Sequence, residues 1–472
     1  MRPMDLELFV TPGLGDASYL LASGGEAVLV DPQRDAWRFL EVAQRRGWRV
    51  RYVLETHVHN DYVSGAIETR AATGAEIAAP ARGGYQFEHR AMDEGDAVEI
   101  GGLRLTAWAT PGHTPEHIAW AVTDQGAGAS ADERPIGVFT GGSLLVGSAG
   151  RTDLLGSALT DALTRDQQRT LQRLAALPDA TEVLPTHGAG SFCSAGPASS
   201  KRVSTIAAER FANPTFRAAS DPFDAFRAQA IGGLGRYPDY YAQMAPINRA
   251  GPRVLGRLIL PPPLDAAAFE AAASAGATIV DARDRTAFAA GHIRGALNIE
   301  LDGTFAGYVG WLVPFASKVI LVLPEGRSDA AETAATELLR IGYEWVPGYL
   351  DGGMDAWASS GRPVAGYDTT TMAETFGAQS SGAGAGRVLL DVRQPIEWQQ
   401  DGVVPGAERI FVADLPKRLA ELRGAPVTVF CKSGSRAAIA ASMLDAAGVD
   451  VRVVTDGGAA TWPEPLELLP SR

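Results

Sequence analysis

The run Thr56-His57-Val58-His59-Asn60-Asp61-Tyr62 comes directly after the apolar-rich stretch Val50-Arg51-Tyr52-Val53-Leu54. A short apolar, β-branched stretch that stops at a polar segment reads as a strand running into a loop. Two histidines and an aspartate at i, i+2 and i+4 then present three potential metal ligands on one side of an extended backbone. Loops at strand ends are where α/β sheets put their chemistry, and imidazole is the commonest transition-metal ligand. The run therefore calls for a sheet, a loop-rich edge and further chain to complete a coordination sphere.

The chain is long enough to supply it. At 472 residues it exceeds a single ordinary core, so two to four domains are expected. Hydrophobic residues make up 46% and charged residues 21%, the proportions of a soluble globular protein. A formal net charge of −13 disfavours nucleic acid and anionic membrane as partners. Only two cysteines exist, Cys193 and Cys431, so individually placed thiols are expected rather than a disulfide framework. Met1-Arg2-Pro3-Met4-Asp5 has no apolar signal region, and no apolar run reaches membrane-spanning length. A cytoplasmic location is expected. Oligomeric state is left open, with a homo-oligomer among the options.

Strand-like stretches at Leu6 to Val10, Ala17 to Ala22 and Ala27 to Asp31 open the chain, with Gly24-Gly25 as a hairpin turn. Ala36 to Arg46 has helical spacing, and Arg49 to Glu55 is the next strand. Residues 126–134 read as an exposed loop, Phe216 to Tyr241 as helical pieces, and Pro246 to Pro252 as a linker. Beyond it lies an internal repeat. Ile279-Val280-Asp281-Ala282-Arg283 is echoed by Leu390-Asp391-Val392-Arg393, and Gly352-Gly353 with Trp357 by Gly457-Gly458 with Trp462. Each copy has an apolar strand, Lys318 to Leu323 or Pro426 to Phe430, then a loop and an amphipathic helix. Both read as β/α units with a mainly parallel sheet. Ala378 to Gly386 reads as a flexible insertion. The expected domains are residues 1–250, 255–365 and 368–472.

His113, in Thr110-Pro111-Gly112-His113-Thr114, and His187, in Leu184-Pro185-Thr186-His187-Gly188, lie in similar loops after apolar strands. Any one of these histidines alone reads as a loop residue bonded to nearby backbone. Four in such contexts read as a metal-derived site.

These segments resemble the metallo-β-lactamase fold, nearest to its persulfide dioxygenase and glyoxalase II branch. The resemblance rests on Thr56 to Tyr62, Pro111-Gly112-His113-Thr114-Pro115-Glu116-His117, Phe139-Thr140-Gly141-Gly142-Ser143-Leu144, Gly150-Arg151-Thr152-Asp153-Leu154 and the His187 segment. It implies an N-terminal αββα sandwich. It carries over His57 and His113 as ligands of one ion, with His59 as the second histidine of the signature. Two positions depart from the family. Tyr62 stands where the signature has a histidine, and Gly142 where the usual aspartate ligand stands. A binuclear hydrolase site is therefore not expected, and the expected site is one ion, Fe(II) or Zn(II), on His57, His59 and His113. Asp61 and His187 are weaker candidates, with Asp153 below them. Tyr62 reads as a filler of the vacated second-metal space, or else as a hydrogen-bond donor to substrate. Cys193 reads as a buried thiol with a substrate-pocket role as the alternative.

At the other end, Val427-Thr428-Val429-Phe430 runs into Cys431-Lys432-Ser433-Gly434-Ser435-Arg436, and a helix is expected from Ala437 to Ala447. Such a loop turns its N–H groups toward the cysteine sulfur at a helix N-terminus, with Lys432 and Arg436 as nearby cations. A thiolate there can attack sulfane sulfur and hold it as a persulfide. The segment is similar to the rhodanese family, with Asp391-Val392-Arg393, Glu397-Trp398, Pro405-Gly406-Ala407 and Gly457-Gly458 in supporting places. Rhodanese loops have six residues from Cys to Arg and the related phosphatases seven; Cys431 to Arg436 counts six. The expected catalytic set is Cys431, Lys432, Ser433, Gly434, Ser435 and Arg436. The first copy has Leu323-Pro324-Glu325-Gly326-Arg327-Ser328 at this place, and no cysteine. It is expected to be an inactive rhodanese-like domain.

The combined resemblance implies sulfide and persulfide metabolism, with a persulfide dioxygenase-like metal domain coupled to a rhodanese sulfurtransferase. Small thiol persulfides, thiosulfate and sulfite are the expected small-molecule partners. Two alternatives stand beside it. One is a thiosulfate sulfurtransferase with a non-catalytic N-terminal binding module, and the other a mononuclear-metal thioester hydrolase.

Overall fold

A computed structural model describes residues 4–125, 134–196 and 199–469. The exposed loop expected at residues 126–134 lies, except for Arg134, outside the described residues. The chain divides into two compact units. One runs to Leu258 and takes in Leu339–Gly342; the other holds the rest, so both repeat copies pack as one unit.

The first unit is built on two six-stranded sheets. In the first, Asp5–Thr11, Asp16–Ser23 and Glu26–Val30 pair antiparallel, and Arg49–Leu54, Glu76–Pro80 and Arg90–Met92 continue in parallel. Gly24 and Gly25 both have positive φ, 59° and 83°, as the tight hairpin between the second and third strands requires. The second sheet runs Ser204–Thr205, Glu182–Pro185, Gly137–Gly141, Ile118–Asp124, Leu103–Ala109 and Ala97–Ile100. Tyr19, Leu21, Val28 and Leu54 of one sheet meet Leu105, Trp120, Phe139 and Leu184 of the other in a fully buried seam. Phe39 and Ala43 of the helix Trp37–Arg46 cover the outer face of the first sheet. Leu171 and Leu174 of Ser157–Ala175 cover the second. The result is the expected αββα sandwich.

The linker expected at Pro246 is corrected: Pro246 lies inside the helix Tyr241–Ala250. That helix docks on the histidine run. Asn248 Nδ2 donates to the carbonyls of His59 and Tyr62 at 2.9 and 2.8 Å, and its Oδ1 accepts from Ser64 N at 2.8 Å. Tertiary contacts thus hold a helix that Pro246 weakens locally.

In the second unit each copy carries a five-stranded, all-parallel sheet. The two strand orders are equivalent, with Thr278–Asp281 and Val319–Val322 in the first answering to Val388–Asp391 and Val427–Phe430 in the second. Ala378 to Ser380, expected in a flexible insertion, instead close the helix Met372–Ser380. The repeated Asp-x-Arg is a structural device. Arg393 Nε and Nη2 grip Asp391 at 3.0 and 2.7 Å with both side chains buried, and Nη2 also caps Gly402 O at 2.8 Å. Arg283 does the same with Asp281 and Gly291 O. Arg393→Ala strands a buried carboxylate and is expected to cost about 3–5 kcal/mol of stability, read by chemical denaturation. A loss below about 1 kcal/mol would mean that the pair is not the lock it resembles.

Candidate metal centre and sulfur loop

The strand ending at Leu54 delivers Glu55, Thr56 and His57 into the interior at one end of the sandwich. Asp31, the residue after the strand Glu26–Val30, organises the loops around them. Its Oδ1 accepts from Thr56 N and its Oδ2 from Thr56 Oγ1, both at 2.8 Å, and Oδ2 also accepts from Thr186 Oγ1. It ties the His57 loop to the His187 loop, and it does so from a left-handed backbone, φ 48°. Such a conformation in a buried non-glycine residue marks a place where the surroundings dictate the geometry.

The imidazoles of His57, His113 and His187 each offer a nitrogen within 4.8 Å of the other two. In each ring Nδ1 is already engaged. Thr56 Oγ1 gives its own proton to Asp31, so it accepts from His57 Nδ1 at 2.8 Å. His113 Nδ1 donates to Arg151 O at 2.8 Å, and His187 Nδ1 to Asp16 Oδ1 at 2.8 Å. Nε2 of each ring is left to point inward. His57 Nε2 and His187 Nε2 are 3.3 Å apart, and buried His113 Nε2 has no hydrogen-bond partner among the described residues. Metal-binding histidines are typically oriented in this way, by an acceptor on the far nitrogen. The donor set therefore fits one ion.

His59 is placed differently from the expected His57–His59–His113 trio. Its Nε2 faces Glu55 Oε2 at 3.1 Å, Asp31 Oδ1 at 3.3 Å and the Tyr62 hydroxyl at 3.1 Å. It joins a second group with Asp61 and His187, and a third with Asp31 and Glu55. The structure thus puts His187, the weaker sequence candidate, where His59 was expected. Tyr62 is fully buried, stacks on His59 at 4.3 Å and donates to Asp31 O at 3.2 Å. It fills the space beside His59. At Gly142 an added Cβ would fall on the His113 ring, so the imidazole occupies room that a side chain at 142 would need. Asp153 is held by Arg151 in a paired contact, Nε to Oδ1 at 2.6 Å and Nη2 to Oδ2 at 2.7 Å, and points at the guanidinium, not the centre. Cys193 is buried, with Sγ 3.5 Å from Asp61 Oδ2.

Charges reflect the packing. Burial, reinforced by the other imidazoles, holds His57 well below its usual value and His113 at about 3. Against burial, Asp61 and Asp16 raise His187 to about 10, and Asp31 and Glu55 lift His59 well above its usual value. Asp61 falls to about 2 because His187 overcomes its burial. Burial and the Asp61 charge push Asp16 up to about 7. Burial, then Asp61, drives the Cys193 thiol well up, so it serves as a protonated donor. An ion entering the centre competes with the His187 proton.

Several participants are not singled out as candidates by the sequence. His117 stacks on His57 at 5.0 Å, but both its nitrogens are spent, on Gly142 N at 2.9 Å and Thr110 Oγ1 at 2.8 Å. Tyr240 donates to Asp61 O at 2.8 Å. Asp16, Asp31 and Glu55 are single carboxylates at strand ends, legible only as unusually placed charges.

In the second unit the strand Val427–Phe430 runs into the six-residue loop, and the helix Ser435–Ala446 begins at once. Gly434 N–H donates to Cys431 Sγ at 3.1 Å. Gly434 has φ +99°, open to glycine and strained for other residues. Gly458 passes so close that a Cβ would fall on the Cys431 carbonyl, which accepts from Ala459 N at 2.9 Å. The two expected cations each have a carboxylate partner, and Arg436 stays within electrostatic reach of Cys431. Arg436 makes a paired contact with Glu397, Nη2 to Oε1 at 2.8 Å, and Lys432 lies exposed, 3.6 Å from Asp401. Against burial, Arg436 holds the Glu397 carboxyl below its usual range. Ser433 O and Ser435 Oγ face Arg285 of the cysteine-free copy at 2.5 and 3.1 Å.

Residues 12–187 match the family model of the metallo-beta-lactamase superfamily, and residues 265–360 and 377–464 match that of the rhodanese-like domain. A hydroxyacylglutathione hydrolase of Cereibacter sphaeroides is 34% identical over 189 residues, covering 39% of this chain and 67% of that protein. A probable metallo-hydrolase of Burkholderia pseudomallei is 32% identical, over 39% of this chain and 72% of that protein. A metallo-beta-lactamase crystal structure from Staphylococcus aureus is 28% identical, with a TM-score of 0.65, and covers 74% of this chain and 99% of that one. The chain belongs to the metallo-β-lactamase superfamily and carries two rhodanese-like domains behind the superfamily domain. No helix among the described residues is long and apolar enough to cross a membrane.

Proposed function

We propose that this is a sulfane-sulfur enzyme of the cytoplasm. Cys431 carries sulfur as a persulfide, and the N-terminal domain oxidises small-thiol persulfides at one metal ion. The observation that carries the reading is the Gly434 N–H set on Cys431 Sγ at 3.1 Å, in a loop of rhodanese length. The Cys431 thiolate attacks the outer sulfur of thiosulfate. A new S–S bond forms, the bond to the sulfonate sulfur breaks, and sulfite leaves with the electron pair. An acceptor thiolate, or cyanide, then attacks the outer sulfur and Cys431 departs as thiolate. No oxidant is consumed.

In the N-terminal domain His57, His113 and His187 would hold the ion. A bound ion supplies Lewis acidity and a coordination site for an anionic sulfur ligand and dioxygen. Three neutral imidazoles leave the cation's charge unspent, which suits a persulfide anion. Thr56, the Arg151 carbonyl and Asp16 orient the rings, and Tyr62 closes the second-metal space to water.

A second reading keeps only Cys431 catalytic, with the N-terminal domain as a binding module. Gly142 favours it, because the family's carboxylate ligand is missing. The purified full chain should hold one ion, take up oxygen on glutathione persulfide and transfer sulfur from thiosulfate to cyanide. Transfer with neither ion nor uptake would select the binding module. Hydrolysis of a glutathione thioester without uptake would select a mononuclear hydrolase. Absence of transfer would overturn the sulfurtransferase assignment.

A further inference from the structure

The cysteine-free copy sets a guanidinium against the sulfur loop. Arg285 begins the helix Arg285–Ala290 of that copy, and Glu300 fixes its direction: Nε lies 3.1 Å from Oε1 and Nη2 2.6 Å from Oε2. From this anchor Nη1 donates to Ser433 O at 2.5 Å and Nη2 to Ser435 Oγ at 3.1 Å. These residues flank Gly434, whose N–H meets the Cys431 sulfur. A Cβ on Gly434 would collide with Arg285 Nη1, so the glycine leaves room for the guanidinium as well as for its own positive φ. Arg436, the cation inside the loop, is committed to Glu397 and does not hold this peptide.

We propose that Arg285 is a positioning residue for sulfur transfer. It holds the Ser433–Gly434 peptide by its carbonyl and the Ser435 side chain by its hydroxyl, and so keeps the Gly434 N–H aimed at Cys431; the copy without a nucleophile completes the site of the copy that has one. The inference rests on reading Cys431 as the sulfur carrier. Charge-assisted bonds from a pre-oriented arginine suit this task, because the loop N–H is then already in place when charge moves onto sulfur. Other links between the copies grip the helix further along. Asn298 N donates to Ser442 Oγ at 3.2 Å, His292 Nε2 meets Asp445 Oδ2 at 3.2 Å, and Arg294 Nη1 donates to Asp445 O at 3.0 Å.

The test compares Arg285→Ala, Arg285→Lys and Arg294→Ala in the full chain by thiosulfate–cyanide transfer and by amide hydrogen exchange over residues 432–435. Arg285→Ala should lower kcat at least about tenfold with KM for thiosulfate changed less than about twofold. Added guanidinium ion or the lysine variant should restore part of the rate. Arg294→Ala should stay within about twofold of the wild type. An Arg285→Ala enzyme with unchanged kcat, an equal loss in Arg294→Ala, or no restoration by either route would overturn the proposal. If the wild type itself transfers no sulfur, the reading of Cys431 falls. The clamp is then judged by exchange alone: faster exchange at 433–435 in Arg285→Ala supports it, and unchanged exchange overturns it.

Discussion

Cys431→Ser in the full chain should lose thiosulfate–cyanide transfer by at least about a thousandfold while its fold is retained. Serine is close in size to cysteine, and its oxygen can accept the Gly434 N–H that now meets sulfur at 3.1 Å. The loop therefore keeps its packing, and the loss can be assigned to chemistry. An alcohol neither attacks sulfane sulfur at neutral pH nor leaves from it. The wild type incubated with thiosulfate should gain the mass of one sulfur on the peptide carrying Cys431, and the variant should gain none. Sulfur found instead on Cys193 would move the carrier to the other unit. That outcome is disfavoured because burial, and then the neighbouring Asp61 charge, keep the Cys193 thiol protonated.

The second large effect separates two ligand sets. His187→Asn removes Nε2 but leaves an amide donor for Asp16, while His59→Gln leaves a donor for Glu55 and Asp31. Metal affinity should fall more than about a hundredfold in the first, beyond the cost of losing an outer-shell partner, and change little in the second. His113→Ala should match His187→Asn, since buried His113 Nε2 has no other hydrogen-bond partner among the described residues. The opposite result, with the ion lost in His59→Gln and kept in His187→Asn, would restore the trio His57, His59 and His113. Inductively coupled plasma mass spectrometry on folded, reconstituted protein makes the measurement.

Much of the architecture is written locally in the chain. A strand that ends in His-x-His-x-Asp, a six-residue loop from a cysteine to an arginine at a helix start, and a repeated Asp-x-Arg each declare themselves within a dozen residues. What spacing cannot show is which distant acceptor turns a ring. His59 matches the signature as well as His57 does, yet Glu55 and Asp31 draw its Nε2 away, while Asp16 aims His187 inward. Asn248 shapes the histidine run from a helix whose proline argued for a linker. Lys432 and Arg436 looked like the cations serving Cys431 because they are adjacent in sequence. Each has a carboxylate of its own, Arg436 still acts on Cys431 electrostatically, and a further arginine reaches the loop from the neighbouring repeat.

The helix Ser435–Ala446 is buried at every position from Ala437 to Asp445, an apolar surround that no single sheet can provide. It belongs to two cores at once. Cooperativity is the result: the repeat that kept its cysteine cannot loosen without its neighbour, and a local opening in either one is felt at the sulfur. The duplicated region then behaves as one foldon, in which the cysteine-free half contributes to the stability of the half that holds Cys431.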